Sequence, residues 1–438
     1  MNLESCRGFL SRGSLTATLS SSARLLCVVL LASATAGMAA EKPQIASPRI
    51  RALDQEIAAD KTAALDRFWK AAKNRCPLVE EIPGDDKRLL VTYLWRGDAT
   101  TERVEARGGP YAASREPFAR LRDTDVWYRS EPVPKDARYV YGLIVNRRVE
   151  RRAADGSTEY VLVEEYPNDP LNANQFNGGP VVELPDAPKD AWHVAQESAA
   201  KGRVERLSLE SKALAESRKA TIYVPPEFDS RTPHALAVFF DGDECEKLMN
   251  LPAILDNLIA EKRIPPTVAI LVDAQRTRGR DLVFSDAFVA FVADELVPWA
   301  VKKLDLNVTP ETTLAGGMSL GGLTAAYAAH ERPKVFGNVL SQSGAFWRPR
   351  PDKAQAPQGQ GWFPGRVAES EATTVRYYLE VGRFESPSMV GNNHRLRDVL
   401  RTKGNAVIYE EYNGGHDHVN WRVSLGRGLI ALLGTPRS

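Results

Sequence analysis

Residues 316–322 read Gly-Gly-Met-Ser-Leu-Gly-Gly, so Ser319 stands between paired glycines. The residues before it, Thr312 to Ala315, have strand character, and Leu320 to His330 have helix character. Ser319 therefore falls at a tight strand-to-helix turn, the setting of a nucleophile elbow. Only small residues fit two places before and after such a turn, where the strand and helix backbones pass closely. The turn lifts the hydroxyl to the strand tip and puts the positive end of a helix beside it.

A serine hydroxyl is a weak nucleophile at neutral pH and needs a base, most often histidine. His330, His394, His416 and His418 follow in the chain. His330 ends the helix after the elbow, and His394 lies on a helical stretch facing solvent. His416 follows a strand and the turn Gly414-Gly415, where a serine–acid–histidine order puts its last loop. It is the expected base, with His418 as the alternative. The acid should follow the strand Tyr377 to Val381, in the loop Gly382-Arg383-Phe384-Glu385; Glu385 fits, and Asp398 on the next helix fits less well.

The oxyanion formed by attack on a carbonyl requires two preorganised donors. The Leu320 amide is one. The second should come from Phe240-Asp241-Gly242-Asp243, through the amide of Gly242 or Asp243. Asp241, Asp243, Glu244 and Glu246 have no histidine nearby and lack calcium-loop spacing, so they are not read as a metal site. Nucleophilic acyl transfer of this kind requires no metal or organic cofactor.

The elements that must position these groups are legible from periodicity. Strand and helix alternate after about residue 195: Ala220 to Val224, Leu236 to Phe240 and Thr267 to Val272 as strands, Phe284 to Leu304 as a helix, then the elbow and three further strands, and a closing helix from Val419 to Leu433. Apolar strands alternating with helices predict a parallel sheet covered on both faces, an α/β-hydrolase catalytic domain over 196–438. Residues 41–195 differ. A helical stripe comes first. Leu89 to Trp95, Val126 to Arg129 and Tyr139 to Val145 follow as short strands separated by turns, which predicts a β-sandwich.

The chain has 438 residues, 43% apolar and 26% charged, with a formal net charge of +1. That charge argues against a nucleic-acid binder. Arg7, Arg12 and Arg24, the apolar run Leu25 to Leu31 and the small residues up to Ala40 have the pattern of a secretory signal peptide over 1–40, too short to span a bilayer. Cleavage after Ala39 or Ala40 would leave a periplasmic or secreted protein with no stable membrane insertion. Cys76 and Cys245 would remain, as a disulfide or as buried thiols.

Several stretches resemble the enterochelin (enterobactin) esterases. They are Gly316 to Gly322, Phe336 to Gly344 with Phe346-Trp347, Gly414 to Asp417 with Trp421-Arg422, and Phe240-Asp241-Gly242. In the N-terminal half, Asp123 to Trp127 and Asp169 to Asn172 are similar to that family's accessory domain. The resemblance implies an immunoglobulin-like sandwich before the hydrolase domain. It also implies hydrolysis of the trilactone of a ferric catecholate siderophore, with iron arriving only with the substrate. The serine and histidine motifs are shared with feruloyl and acetyl esterases acting on carbohydrate esters, which is the alternative. A ferric catecholate carries several negative charges. Arg276, Arg278, Arg280, Arg383 and Arg422, with Arg348 and the faces of Trp347 and Trp421, neighbour the site loops and are expected to meet it.

Overall fold

The run Leu89–Trp95 is buried at every position, which an alternating strand of a half-exposed sheet would not be. In the computed structural model both of its faces are covered. The structure describes residues 46–434 apart from 153–157, 190, 274, 354–356 and 358. The expected signal segment, with Cys6 and Cys27, lies outside the described residues.

The strand in question is β2 (Asp85–Arg96). It lies between β1 (Leu78–Ile82) and β6 (Val126–Pro134), with β5 (Ala119–Arg120) beyond. A second antiparallel sheet runs in the order β4-β3-β7-β10-β9, comprising β3 (Thr101–Gly108), β4 (Tyr111–Pro117), β7 (Arg138–Arg152), β9 (Gln175–Phe176) and β10 (Gly179–Glu183); β8 (Thr158–Glu165) pairs with β7. Val91, Tyr93 and Trp95 meet Val104, Tyr139, Tyr141 and Val182 between the two sheets. Leu94, on the opposite face of β2, packs under the helices Pro48–Ala59 and Lys61–Ala72 with Ile50, Leu53, Phe68 and Trp69. The helices break at Asp60, whose carboxylate caps the second by accepting from the Ala63 amide.

The motifs singled out in this half support its architecture. Asp169 accepts from Tyr141 Oη at 2.5 Å and from the Leu171 amide at 2.8 Å, and Asn172 Nδ2 donates to the Val181 carbonyl at 3.0 Å. Asp125 accepts from Trp69 Nε1 at 3.0 Å, joining the helices to the sandwich.

The second half contains an eight-stranded sheet in the order β11-β12-β14-β13-β15-β16-β17-β18. Its strands are β11 (Arg203–Ser211), β12 (Glu216–Val224), β13 (Ala235–Phe240), β14 (Thr267–Val272), β15 (Thr313–Met318), β16 (Asn338–Gln342), β17 (Arg376–Gly382) and β18 (Val407–Tyr412). The expectation of a parallel sheet needs correcting at one edge. β11 and β12 form an antiparallel hairpin, and β12 is antiparallel to β14; the strands from β14 to β18 are parallel. A short turn joins β11 to β12, and a parallel pair would need a crossover.

Both faces of the central strands are buried. Val238, Phe240 and Ile270 pack with the helices Val297–Leu304 and Leu320–Glu331, whereas Ala237, Phe239 and Leu271 pack with the helices Leu251–Ala260 and His418–Leu433. The long helix expected over 284–304 is interrupted: Phe291–Leu296 is wound as a π-helix. Cys76 and Cys245 are buried free thiols in separate clusters, so they form no disulfide.

Candidate active site

β15 is the middle of the sheet and is buried throughout. Ser319 follows its last residue, with φ 56° and ψ −117°, a conformation costly for a residue with a Cβ. Three hydrogen bonds hold it: Ser319 N–H to the Gln342 carbonyl at 2.9 Å, and the amides of Ala345 and Leu323 to the Ser319 carbonyl at 2.9 and 3.0 Å. The flanking glycines are steric necessities. A Cβ on Gly317 would lie 2.7 Å from the Gly321 carbonyl carbon, and one on Gly322 would lie 2.6 Å from Ser341 Oγ.

The carboxyl ends of β15 to β18 lie side by side, with Met318, Gln342, Glu380 and Glu410 in register. The loops that follow therefore deliver Ser319, Ser343, Glu385 and His416 to one edge. His416 Nδ1 lies 2.6 Å from Glu385 Oε2. A carboxylate only accepts, so Nδ1 carries the proton and Nε2 is left free to accept one. Glu385 is buried and fully engaged, accepting also from Ser343 Oγ at 2.5 Å and from the Gly382 amide at 2.8 Å. Ser343 is held in turn by Trp421, whose Nε1 donates to its Oγ at 3.0 Å. The Trp421 ring stands edge-on to His416 at 4.8 Å. No hydrogen bond links Ser319 Oγ to His416 among the described residues; such contacts commonly tighten only when substrate arrives.

Leu320 opens the helix Leu320–Glu331, where its amide has no acceptor within the helix. Gly242 opens the helix Gly242–Lys247 after Asp241 in the left-handed region. A Cβ on Gly242 would meet the Leu271 carbonyl carbon at 2.6 Å, so the turn requires glycine. The Asp243 carboxylate accepts from Lys247 Nζ at 2.8 Å.

The other acids of that loop are also paired. Asp241 is clasped by Arg278 through Nε at 2.8 Å and Nη2 at 2.7 Å, Glu244 meets His418 at 3.0 Å, and Glu246 meets Arg206 at 2.6 Å. Burial pushes the Asp241 carboxyl upward, and the Arg278 guanidinium beside it opposes that shift. His330 is partly buried, and desolvation there pushes its pKa down to about 4. His394 meets Glu411 at 2.5 Å, and Asp398 is tied to Arg397 at 2.7 Å.

The residues expected to meet an anionic substrate have varied surroundings. Arg276 is exposed. Arg278 is occupied by Asp241, Arg280 by Glu216 and Asp281, and Arg383 by Glu411. Trp347 is partly exposed and carries Arg348 over its ring at 5.1 Å. Trp421 is only 2% exposed, so it is a wall behind the histidine and offers no open face. Arg422 is half-buried, 4.4 Å over the ring of Phe176 from the sandwich.

That last contact belongs to a feature the sequence did not signal. A cavity of about 870 Å³ lies between the sandwich and the histidine loop. Arg107, Arg115, Tyr166 and Phe176 line it from the sandwich, and His416, Asp417 and His418 from the hydrolase domain; Ser319 is not in its lining. The two walls are fastened together. The Val140 amide donates to Asp417 Oδ2 at 3.2 Å, Asn420 Nδ2 donates to the Arg138 carbonyl at 2.8 Å, and the Arg138 amide donates to the Asn413 carbonyl at 3.0 Å. Burial pushes the Asp417 carboxyl up to about 6. Ser343 was the other residue missed. Its signal was its place in the Ser-Gln-Ser-Gly run at the end of β16, within the stretch that resembles the esterase family, and nothing there points to Glu385.

Two family models match the chain: the "Esterase" model over residues 211–432 and the N-terminal enterochelin esterase model over residues 90–193. The iron(III) enterobactin esterase of Dickeya dadantii is 30% identical over 409 residues, covering 85% of this chain and 93% of that one. The protein of the same description from Escherichia coli O6:H1 is 29% identical over 374 residues, covering 80% and 92%. The crystal structure of ferric enterobactin esterase from Salmonella typhimurium superposes with a TM-score of 0.67 at 26% identity, covering 84% of this chain and 98% of that one.

Proposed function

Because the chain belongs to the enterochelin (enterobactin) esterase family, we propose that it hydrolyses the ester bonds of a ferric catecholate siderophore, so that iron can be released. It is a carboxylic ester hydrolase. The observation that carries the substrate assignment is the match of both halves, accessory sandwich included, to enterobactin esterases.

In the reaction we assign, Ser319 Oγ attacks a lactone carbonyl carbon while His416 Nε2 takes its proton. Glu385 holds Nδ1–H and balances the charge of the imidazolium. The Leu320 amide and the amide of Gly242 or Asp243 receive the oxyanion. The intermediate collapses, and His416 returns the proton to the departing alkoxide. Water activated by His416 then cleaves the acyl-enzyme. The iron is cargo of the substrate and takes no part in these steps.

Product analysis after incubation with ferric enterobactin, iron-free enterobactin and a feruloyl sugar tests the proposal. Cleavage of the siderophore, lost in Ser319→Ala along with fluorophosphonate labelling, is expected. Cleavage of the sugar ester alone would overturn it in favour of a carbohydrate esterase. We further propose that residues 1–40 direct export to the periplasm or beyond, on the signal-like pattern of charge, apolar run and small residues. Fractionated cells should hold a mature chain starting at Ala40 or Glu41 outside the cytoplasm; an intact cytoplasmic chain refutes export.

A further inference from the structure

Three hydrolase-domain arginines near the site loops, Arg278, Arg280 and Arg383, are paired with carboxylates, whereas Arg107 of the sandwich, on the cavity beside His416, is not. Arg107 sits on β3 directly opposite Gly142 on β7. A Cβ on Gly142 would stand 2.9 Å from Arg107 Nε, so the glycine leaves a notch across the sheet in which the arginine stem lies. The guanidinium rests 5.2 Å from the centre of the Tyr166 ring. Arg107 makes no ion pair among the described residues and is exposed to the cavity.

Its platform is an exposed ring tethered at its hydroxyl. Glu164 accepts from both terminal nitrogens of Arg115, at 2.6 and 3.2 Å, and also from the Tyr166 hydroxyl. Glu164 therefore cancels the charge of Arg115 and anchors Tyr166, and it leaves Arg107 as a preorganised, uncompensated cation on an aromatic face. A guanidinium offers paired planar donors that match two adjacent anionic oxygens, and the neighbouring rings suit a flat aryl group. The volume of about 870 Å³ is ample for such a group.

We propose that Arg107 is a specificity-determining residue of the esterase: from the sandwich domain it captures an anionic catecholate arm of the substrate while the ester is presented to Ser319 and His416. This rests on the siderophore reading above, and it assigns the accessory domain the recognition half of the site. Arg107 touches an arm remote from the bond that is cleaved. Its contact is therefore equal in ground and transition states and should appear in KM and not in kcat.

The test compares wild type, Arg107→Gln and Arg107→Lys on ferric enterobactin and on p-nitrophenyl acetate, which has no such arm. Binding of ferric enterobactin to each variant in a Ser319→Ala background is read by tryptophan fluorescence quenching. Loss of one charge-assisted contact should raise both KM and Kd for the siderophore about tenfold in Arg107→Gln relative to any change with the acetate, with kcat nearly constant. Arg107→Lys should fall between. The wild-type siderophore KM should also rise more steeply with salt than that of Arg107→Gln. Siderophore KM and Kd within twofold of wild type overturn the inference, as does an equal loss on both esters. Wild type that cleaves the acetate but not the siderophore overturns the substrate reading and this inference with it; the first two outcomes overturn the inference alone.

Discussion

Replacing Glu385 by glutamine removes one charge and leaves the shape of the histidine loop almost unchanged. The carboxylate is buried and lies 2.6 Å from His416 Nδ1. When the imidazole takes the serine proton, a full positive charge appears beside it. With an effective dielectric of about 20 and roughly 3.5 Å between charge centres, the attraction is about 4–5 kcal/mol. At about 1.4 kcal/mol per decade this predicts a fall in kcat on the order of 10³- to 10⁴-fold. Because Glu385 contacts no substrate, KM should change by less than about threefold. Glutamine can also present its amide to Nδ1, which favours the wrong tautomer and adds to the loss. The assay is steady-state hydrolysis of p-nitrophenyl acetate and ferric enterobactin, with thermal melting to establish folding. A folded Glu385→Gln enzyme that keeps more than about a tenth of wild-type kcat would refute the argument, because the pair would then contribute no more than an ordinary hydrogen bond.

Three other outcomes are expected. Gly317→Ala puts a Cβ 2.7 Å from backbone of the elbow helix and should cost about 1–3 kcal/mol, read as a lowered urea midpoint; an unchanged midpoint contradicts the steric account. Burial pushes Glu380 up to about 7 from an ordinary 4.5, so between those values the folded chain holds a proton that the unfolded chain has released. Stability should therefore decline as pH rises through that window, by at most about 3 kcal/mol, and level off on either side. Glu380→Gln should flatten this dependence, and parallel urea midpoints for the two proteins between pH 5 and pH 8 would refute it. Cys76 and Cys245 should resist a thiol reagent in the native protein and both react after denaturation without reductant, since each is a buried free thiol; failure to react when unfolded would reveal a disulfide.

Much of the proposed catalytic constellation is a local matter, which is why short stretches of sequence point to it. The glycines around Ser319 are dictated by backbone clearance within a single turn. The alternation of apolar strands and helices fixes which strand ends share an edge, and hence where a base and an acid must be sought. The run Leu89–Trp95 was legible as a strand, but that helices cover its outer face was decided by the structure.

What the sequence left open depends on contacts between distant residues. Whether an arginine greets a ligand or a carboxylate is decided by what the fold puts opposite it: Arg278 is 37 positions from the Asp241 it clasps. Ser343 acquires a role only because Glu385, 42 positions on, is folded against it. The bond from the Val140 amide to Asp417, across 277 positions, turns an accessory sandwich into a wall of the cavity beside His416. Periodicity and turn chemistry act over a few residues and set the elements and their order. The meeting of side chains across such separations depends on how those elements pack, so only the tertiary structure could decide it.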